Sequence, residues 1–334
     1  MGLEIMKVLI VASFNKGRFA PFITEQVEVL KQLGCEVDYF GLQGRGIKGY
    51  VQNLPSLRQR IKAFQPDVIH AHYGLSGLFA NLQRSVRVVT TYHGSDVNDN
   101  KAFQFSKMAM KLSAWNIFVS RKTLEIAKSK THLLSLRGGT TKQSRQGSWK
   151  KYTLLPCGID LSELQLTEKA EARQRMKFSH DKKIVLFAGA FDNAVKNVGL
   201  AKEAVTLLDE DVELLELKGY SRDEVTLMMC AADVFLMTSF SEGSPQVIKE
   251  AMACGCPIVS VDVGDVKERM EGVEGCYVSE TRSPQALAEL LHKAMSFQGK
   301  TQGRRRVMSD GLENKMVAQQ LMGIYERVVR DENN

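Results

Sequence analysis

Ser239-Phe240-Ser241-Glu242-Gly243-Ser244-Pro245-Gln246-Val247-Ile248-Lys249-Glu250-Ala251-Met252-Ala253-Cys254-Gly255-Cys256-Pro257 holds two acids, a small-residue loop and a punctuated helix in one short run. Pro245 suits a first helical turn, Gly255 suits the left-handed residue past a helix end, and Pro257 stops continuation. The pattern predicts a helix from about Pro245 to Cys254, followed by a strand at Ile258–Val261. Glu242 falls in the loop ahead of the helix and Glu250 inside it, with seven residues between the two. At about 1.5 Å rise per residue, Glu250 lies roughly 7 to 8 Å further along the axis than Pro245. Two acids therefore flank the backbone N–H groups of a helix start.

Outward from this run, short apolar segments alternate with helical periodicity. Lys7–Ala12, Val37–Phe40, Val68–His70, Val86–Thr91 and Asn116–Val119 read as strands. Between them, Phe22, Ile23, Val27, Leu30 and Leu33 recur at helical spacing, as do Leu54, Leu57, Ile61 and Phe64. A second series runs through a strand at Ile184–Ala188, a helix at 198–208, a strand at 212–217, a helix at 221–231 and a strand at 234–238. Such βαβ alternation predicts α/β units with parallel sheets covered on both faces. The break Leu154-Leu155-Pro156-Cys157-Gly158-Ile159-Asp160 divides the two series, so the expected domains are residues 1–157 and 158–315. Met316, Leu321, Ile324, Val328 and Val329 mark a terminal helix, 316–334, that could return to the first domain.

The chain has 334 residues, 44% of them apolar, enough for two cores of ordinary size. The opening segment reads as a strand and not as a leader, and no apolar run reaches the 18 residues of a spanning helix. A cytoplasmic location, peripheral on the inner face of the membrane, is the expectation. Six cysteines include no CxxC pair, which argues against a zinc ribbon or a redox motif. Charge is unequally divided: residues 1–158 hold 23 Lys and Arg against 9 Asp and Glu, and residues 159–334 hold 22 against 29. No acid occurs between Glu125 and Asp160, where Lys128, Lys130, Arg137, Lys142, Arg145, Lys150 and Lys151 lie. Such a half attracts anionic membranes, nucleic acid or phosphorylated substrates alike. Gly138 to Ser148, rich in Gly, Ser and Thr, reads as a mobile loop.

Ligands of doubly wound folds bind at the carboxyl ends of the strands. After Ile184–Ala188 come Gly189 and Lys196, the lysine just ahead of a helix start where it could neutralise a pyrophosphate. After Val68–His70 come Ala71-His72-Tyr73-Gly74, and after Val86–Thr91 come Tyr92-His93-Gly94-Ser95-Asp96. His70 and His72 share one face of an extended segment and make a conceivable metal pair, with no third ligand placed. There is no GxGxxG after the first strand, no GxxxxGK[ST] and no GxSxG, which argues against a dinucleotide oxidoreductase, a P-loop phosphotransferase and an α/β-hydrolase.

The run Thr238 to Pro245, then Lys249 to Ser260 and Gly264, resembles the E-x7-E signature of retaining glycosyltransferase family 4. Pro156-Cys157-Gly158-Ile159-Asp160 resembles the family's P-N-G-[VI]-D, and Ala232-Asp233-Val234-Phe235 precedes the signature as it does there. The resemblance implies a GT-B fold of two facing Rossmann-like domains with parallel sheets. It implies that Glu250 takes the ribose hydroxyls, that Glu242 lies against the donor sugar, and that the backbone from Gly243 through Ser244, Pro245 and Gln246 to Val247 holds sugar and phosphate. Gly189 and Lys196 would bind the diphosphate, Lys196 stabilising charge on the leaving group, with Gly219 and Tyr220 near the base. His93 would contact the sugar at the reacting carbon; Gly17, Arg18, His72 and Asp96 would line the acceptor side. The implied partners are a UDP- or GDP-type sugar donor and a saccharide or lipid-linked acceptor of cell-surface glycan synthesis, with no metal, no other cofactor and no specific nucleic acid.

This chain departs from the family's pattern in three places. Ala190 follows Gly189 where an Arg is common, Asn15-Lys16-Gly17-Arg18 replaces a Gly-Gly pair, and a single strand is found between Leu208 and Ala231. Lys101, Lys107 and Lys111 interleave with Phe103, Phe105, Met108, Met110 and Leu112, a basic amphipathic surface for anionic membrane if those apolar groups are not core. Two other readings stand beside the transferase: a sugar-nucleotide epimerase on the same scaffold, and a non-catalytic nucleic-acid binder suggested by charge alone.

Overall fold

The computed structural model describes residues 5–44, 46–136, 151–179, 181–209 and 211–330. Two compact units are present, Met1–Gly158 with Asn314–Asn334, and Ile159–Glu313. The first contains β1 (Lys7–Ser13), β2 (Glu36–Leu42), β3 (Val68–His72), β4 (Val88–Tyr92), β5 (Trp115–Phe118) and β6 (Tyr152–Leu154) in the order β2-β1-β3-β4-β5-β6. The second contains β7 (Lys183–Phe187), β8 (Val212–Leu215), β9 (Val234–Met237), β10 (Ile258–Val261) and β11 (Cys276–Ser279) in the order β11-β10-β9-β7-β8. Every strand pairing among the described residues is parallel.

The continuous apolar run of β1 has a direct cause. Val8, Ile10 and Ala12 face one core, under the helices Pro21–Gln32 and Asn314–Arg330, while Leu9 and Val11 face another, under Leu54–Phe64 and Gly74–Asn81. A strand covered on both sides shows no polar alternation. The helix Asn314–Arg330 buries Val317, Leu321, Ile324, Tyr325 and Val328 at helical spacing against the first unit, although it follows the whole second unit in sequence. The domain change therefore falls after Gly158, and the last helix begins at Asn314, two residues before the predicted start.

Several local readings are corrected. His72 is the last residue of β3, not part of the loop after it. Pro245 is the N-cap residue of the helix Gln246–Ala253, with extended ψ, and not its first turn. The far end is as read: Gly255 has φ +71, its N–H donates to the Met252 carbonyl and the Cys256 N–H to the Ala251 carbonyl, a Schellman closure. The apolar residues interleaved with Lys101, Lys107 and Lys111 divide within the helix Asn100–Leu112, with Phe103 and Met110 buried but Met108 and Leu112 exposed. The basic residues Arg137, Lys142, Arg145 and Lys150, and the loop Gly138 to Ser148, lie outside the described residues. No helix among the described residues is long and apolar enough to cross a membrane.

Candidate active site

In each unit the strand order reverses at its first strand, between β1 and β3 and between β7 and β9, and at such a switch the loops leaving the carboxyl ends diverge to leave a crevice. In the second unit the β7 loop carries Gly189 and Lys196, and the β9 loop carries Glu242 to Pro245. Gly189 has φ +153, and a Cβ built on it would meet the Lys196 side chain at 3.0 Å, so the lysine lies directly across the glycine. Its Nζ donates to Glu242 Oε1 at 2.8 Å, with both side chains mostly buried. Residues 46 apart in sequence are thus joined as one charge pair.

The two loops are also tied by their backbones. The Thr238 hydroxyl lies 2.9 Å from the carbonyls of Lys196 and Asn197, and the Phe240 N–H donates to the Val195 carbonyl. Arg282 closes the far side, its guanidinium donating to the carbonyls of Thr238, Ser239 and Phe240. Gly264 packs under the turn: a Cβ there would sit 2.5 Å from the Gly243 carbonyl oxygen. Ser244 Oγ donates to Asp265 Oδ2 at 2.8 Å, and Arg269 Nε donates to the same oxygen at 3.0 Å. Gln246 and Val247 open the helix that follows.

Glu250 lies on the buried stretch Ile248–Ala253 of that helix, 9% exposed. Burial raises its carboxyl above the ordinary range, opposed first by Arg222 and then by Lys249. Arg222 Nη2 is 3.4 Å from Glu250 Oε1, and Arg222 Nε donates to Glu163 at 2.8 Å. Gly219 (φ +87) has open space where a side chain would be, and Tyr220 is exposed beside it. Both precede the helix Arg222–Ala231, whose Ser221–Glu224 capping box is complete. One strand, β8, lies between Leu208 and Ala231.

In the first unit two of the four residues given to the acceptor side, His72 and Asp96, cluster with His93. His72 Nδ1 and His93 Nε2 are 3.1 Å apart, and Phe22 and Tyr73 pack on the His93 ring at 4.7 and 4.5 Å between centroids. Asp96 accepts the N–H groups of Gly74, His93 and Gly94, fixing the β3 and β4 exits to one carboxylate. Burial pushes Asp96 up to about 6 against those bonds. It pushes His72 well below the usual range, helped by His70 and His93, so His72 is neutral, and its Nε2 is buried with no protein partner. Gly17 (φ +68) and Arg18, on the exposed turn after β1, have no hydrogen bond, ion pair or ring contact with this cluster among the described residues. His72 and Asp96 thus both meet His93, and the β1 turn stands apart from that cluster.

The His70–His72 metal pair is not supported by the chemistry of the site. His70 Nε2 bonds Thr91 Oγ1 at 2.8 Å and His70 Nδ1 bonds the Tyr325 hydroxyl at 2.7 Å, so both nitrogens are committed. Among the described residues no group of three His, Cys, Asp or Glu side chains could hold a metal ion. Arg222, Arg282 and Asp265 escaped the sequence reading, because their partners lie 28, 42 to 44 and 21 residues away. The Ser221-x-x-Glu224 box beside Gly219 and Tyr220 was the one legible signal for Arg222.

Two family models match, one in each unit. Glycosyltransferase Family 4 matches residues 19–133, and Glycosyl transferases group 1 matches residues 210–296. The two parallel α/β sheets are of the GT-B type, and each unit is similar to a glycosyltransferase family model. The putative teichuronic acid biosynthesis glycosyltransferase TuaC of Bacillus subtilis strain 168 is 29% identical, over 71% of this chain and 63% of its own length. The amylovoran biosynthesis glycosyltransferase AmsK of Erwinia amylovora is 27% identical, over 69% and 61%. The chain thus spans less than two thirds of these two relatives. Anabaena Alr3699/HepE, solved in complex with UDP, superposes with a TM-score of 0.70 at 15% identity, covering 96% of this chain and all of that one.

Proposed function

We propose that this protein is a retaining glycosyltransferase of polysaccharide synthesis, taking a sugar from a nucleoside diphosphate donor to a saccharide or lipid-linked acceptor. The observation that carries the reading is the Lys196–Glu242 pair over Gly189, at the carboxyl ends of adjacent strands β7 and β9. A lysine held there meets the charge that grows on a departing diphosphate, and a carboxylate beside it accepts from sugar hydroxyls. Glu250, about one turn into the helix Gln246–Ala253, offers two oxygens to the vicinal diol of a ribose. Gly243 to Val247 bring backbone groups at a helix start, and Gly219 and Tyr220 an open, exposed flank for the base.

In this reading the bond from the anomeric carbon to the diphosphate oxygen breaks while the bond to the acceptor oxygen forms on the same face. The acceptor proton passes to the leaving phosphate. His93 supplies polar contact to the sugar, and His72 and Asp96 keep its ring and backbone in place, with Gly17 and Arg18 on the acceptor side. No metal or other cofactor takes part. Names of relatives support a cell-surface polysaccharide setting, and the UDP complex of Anabaena HepE supports a uridine donor as the first to test. The basic charge of residues 1–158 suits a cytoplasmic enzyme resting on an anionic membrane face.

The test is transfer from a panel of UDP- and GDP-sugars to a lipid-linked acceptor, with the product anomer read by NMR. Retention is expected, with loss of transfer in folded Glu242→Ala and Glu250→Ala. Inversion would overturn the mechanism, and conversion of the donor without acceptor would make the protein an epimerase. Unchanged transfer in both variants would remove the site.

A further inference from the structure

Arg222 is the first residue of a capped helix, with Ser221 and Glu224 fixing the backbone on either side of it. Its guanidinium reaches across to two carboxylates at once, Glu163 through Nε and Glu250 through Nη2. Glu163 follows the start of the unit at Ile159, and Glu250 is on the buried helix Gln246–Ala253. Asp160 also feels the Arg222 charge. One partly exposed cation therefore serves three acids, and only Glu250 among them is nearly out of water.

We infer that Arg222 is a positioning residue for Glu250: shared with Glu163, its guanidinium sets the orientation and the charge of the carboxylate that takes the ribose diol. The inference rests on that assignment of Glu250. A buried carboxylate facing no cation is protonated more readily, and a protonated acid has one acceptor oxygen fewer for a diol. The charged and titratable groups facing Glu250 are Arg222 from the adjacent helix start, Glu163 from the preceding loop, and Lys249 and the Cys254 thiol from its own helix. Arg222 and Lys249 favour the ionised form of Glu250 against the larger effect of burial; Glu163 opposes them, both by its own charge and by drawing on the same guanidinium. The two neighbours should therefore act on Glu250 with opposite sign, which a merely structural brace would not do.

The experiment measures binding of UDP and of GDP by calorimetry from pH 5 to 8, in the full chain and its variants, each checked by thermal melt. The nucleotide's own titration is common to all. In Arg222→Gln the acid limb of affinity should move up by about one pH unit, with affinity at pH 8 changed less than about threefold. In Glu163→Gln the limb should move down, and Arg222→Lys, which keeps the charge, should return it towards the parent. Profiles that superpose, or that shift the same way in Arg222→Gln and Glu163→Gln, overturn the inference. If Arg222→Gln does not fold, the Glu163→Gln and Arg222→Lys profiles decide by the same signs. Glu250→Gln separates the two levels. Unchanged binding there, or no binding of either nucleotide by the parent, overturns the ribose assignment and the inference with it. Weakened binding there, with an unmoved Arg222→Gln profile, overturns the inference alone.

Discussion

Lys196 Nζ donates to Glu242 Oε1 at 2.8 Å across Gly189, joining the β7 and β9 loops through a charge pair that is 18% exposed on each side. An ammonium so placed is already oriented before any diphosphate arrives, which is the condition under which a fixed charge stabilises a transition state most.

Lys196→Ala should lower kcat by about 10²- to 10³-fold, as loss of one preorganised electrostatic contact does. Glu242→Ala should be comparably impaired, and the double variant should fall well short of the product of the two single losses because the groups are in contact. Steady-state transfer assays on all three check this. A Lys196→Ala enzyme keeping more than about a third of the parental rate would take the lysine out of the chemistry.

Gly264→Ala should loosen the same turn from below. Gly264 has φ +54, and the new methyl would meet the Gly243 carbonyl oxygen at 2.5 Å, backbone that cannot rotate away. A cost of about 1–3 kcal/mol is expected for the strain, together with weaker nucleotide binding, since Gly243 follows Glu242 directly. Denaturant melts and nucleotide titrations report the two effects. A variant as stable and as tight-binding as the parent would contradict the close approach.

Acid should weaken the first unit through His70. Burial holds this imidazole at about 3, while the unfolded chain titrates it near 6.5. Because the folded value is the lower one, the unfolded state binds the proton first. The His70 contribution is complete above about pH 6.5 and is lost as pH falls towards 3, by about 1.4 kcal/mol per pH unit. Denaturant unfolding at pH 7.5 and 5.5 should show a smaller loss in His70→Gln than in the parent. Equal losses would mean that His70 is not carried as a buried neutral ring.

Much of this molecule was legible from periodicity. β1 and β3 are runs whose residues are buried on alternating faces, β2 is an edge strand whose apolar residues are mostly half-buried, and the helices covering them repeat every three to four residues. Those signals are local, so they survive in one dimension. The helix Gly74–Asn81 was missed for the opposite reason. Gly74 and Gly77 make a poor helix by propensity, yet each lies where a Cβ would strike Ser106 or Thr90, so close packing overrides their preference. Pro245 reads as a helix residue by its fixed φ, but ψ decides, and at 120° it is a cap.

By itself the sequence determined the class of fold, the Glu242/Glu250 spacing, the Schellman stop at Gly255 and the division of charge between the halves, because each depends on neighbours a few residues away. Tertiary structure alone decided which residues meet: Lys196 with Glu242, Arg222 with Glu250 and Glu163, Arg282 with three carbonyls, and Tyr325 with His70 across 255 residues. It also decided that Asn314–Arg330 covers the first unit. Charge pairs and helix docking depend on distances between side chains that only the folded backbone sets, and no periodicity records them.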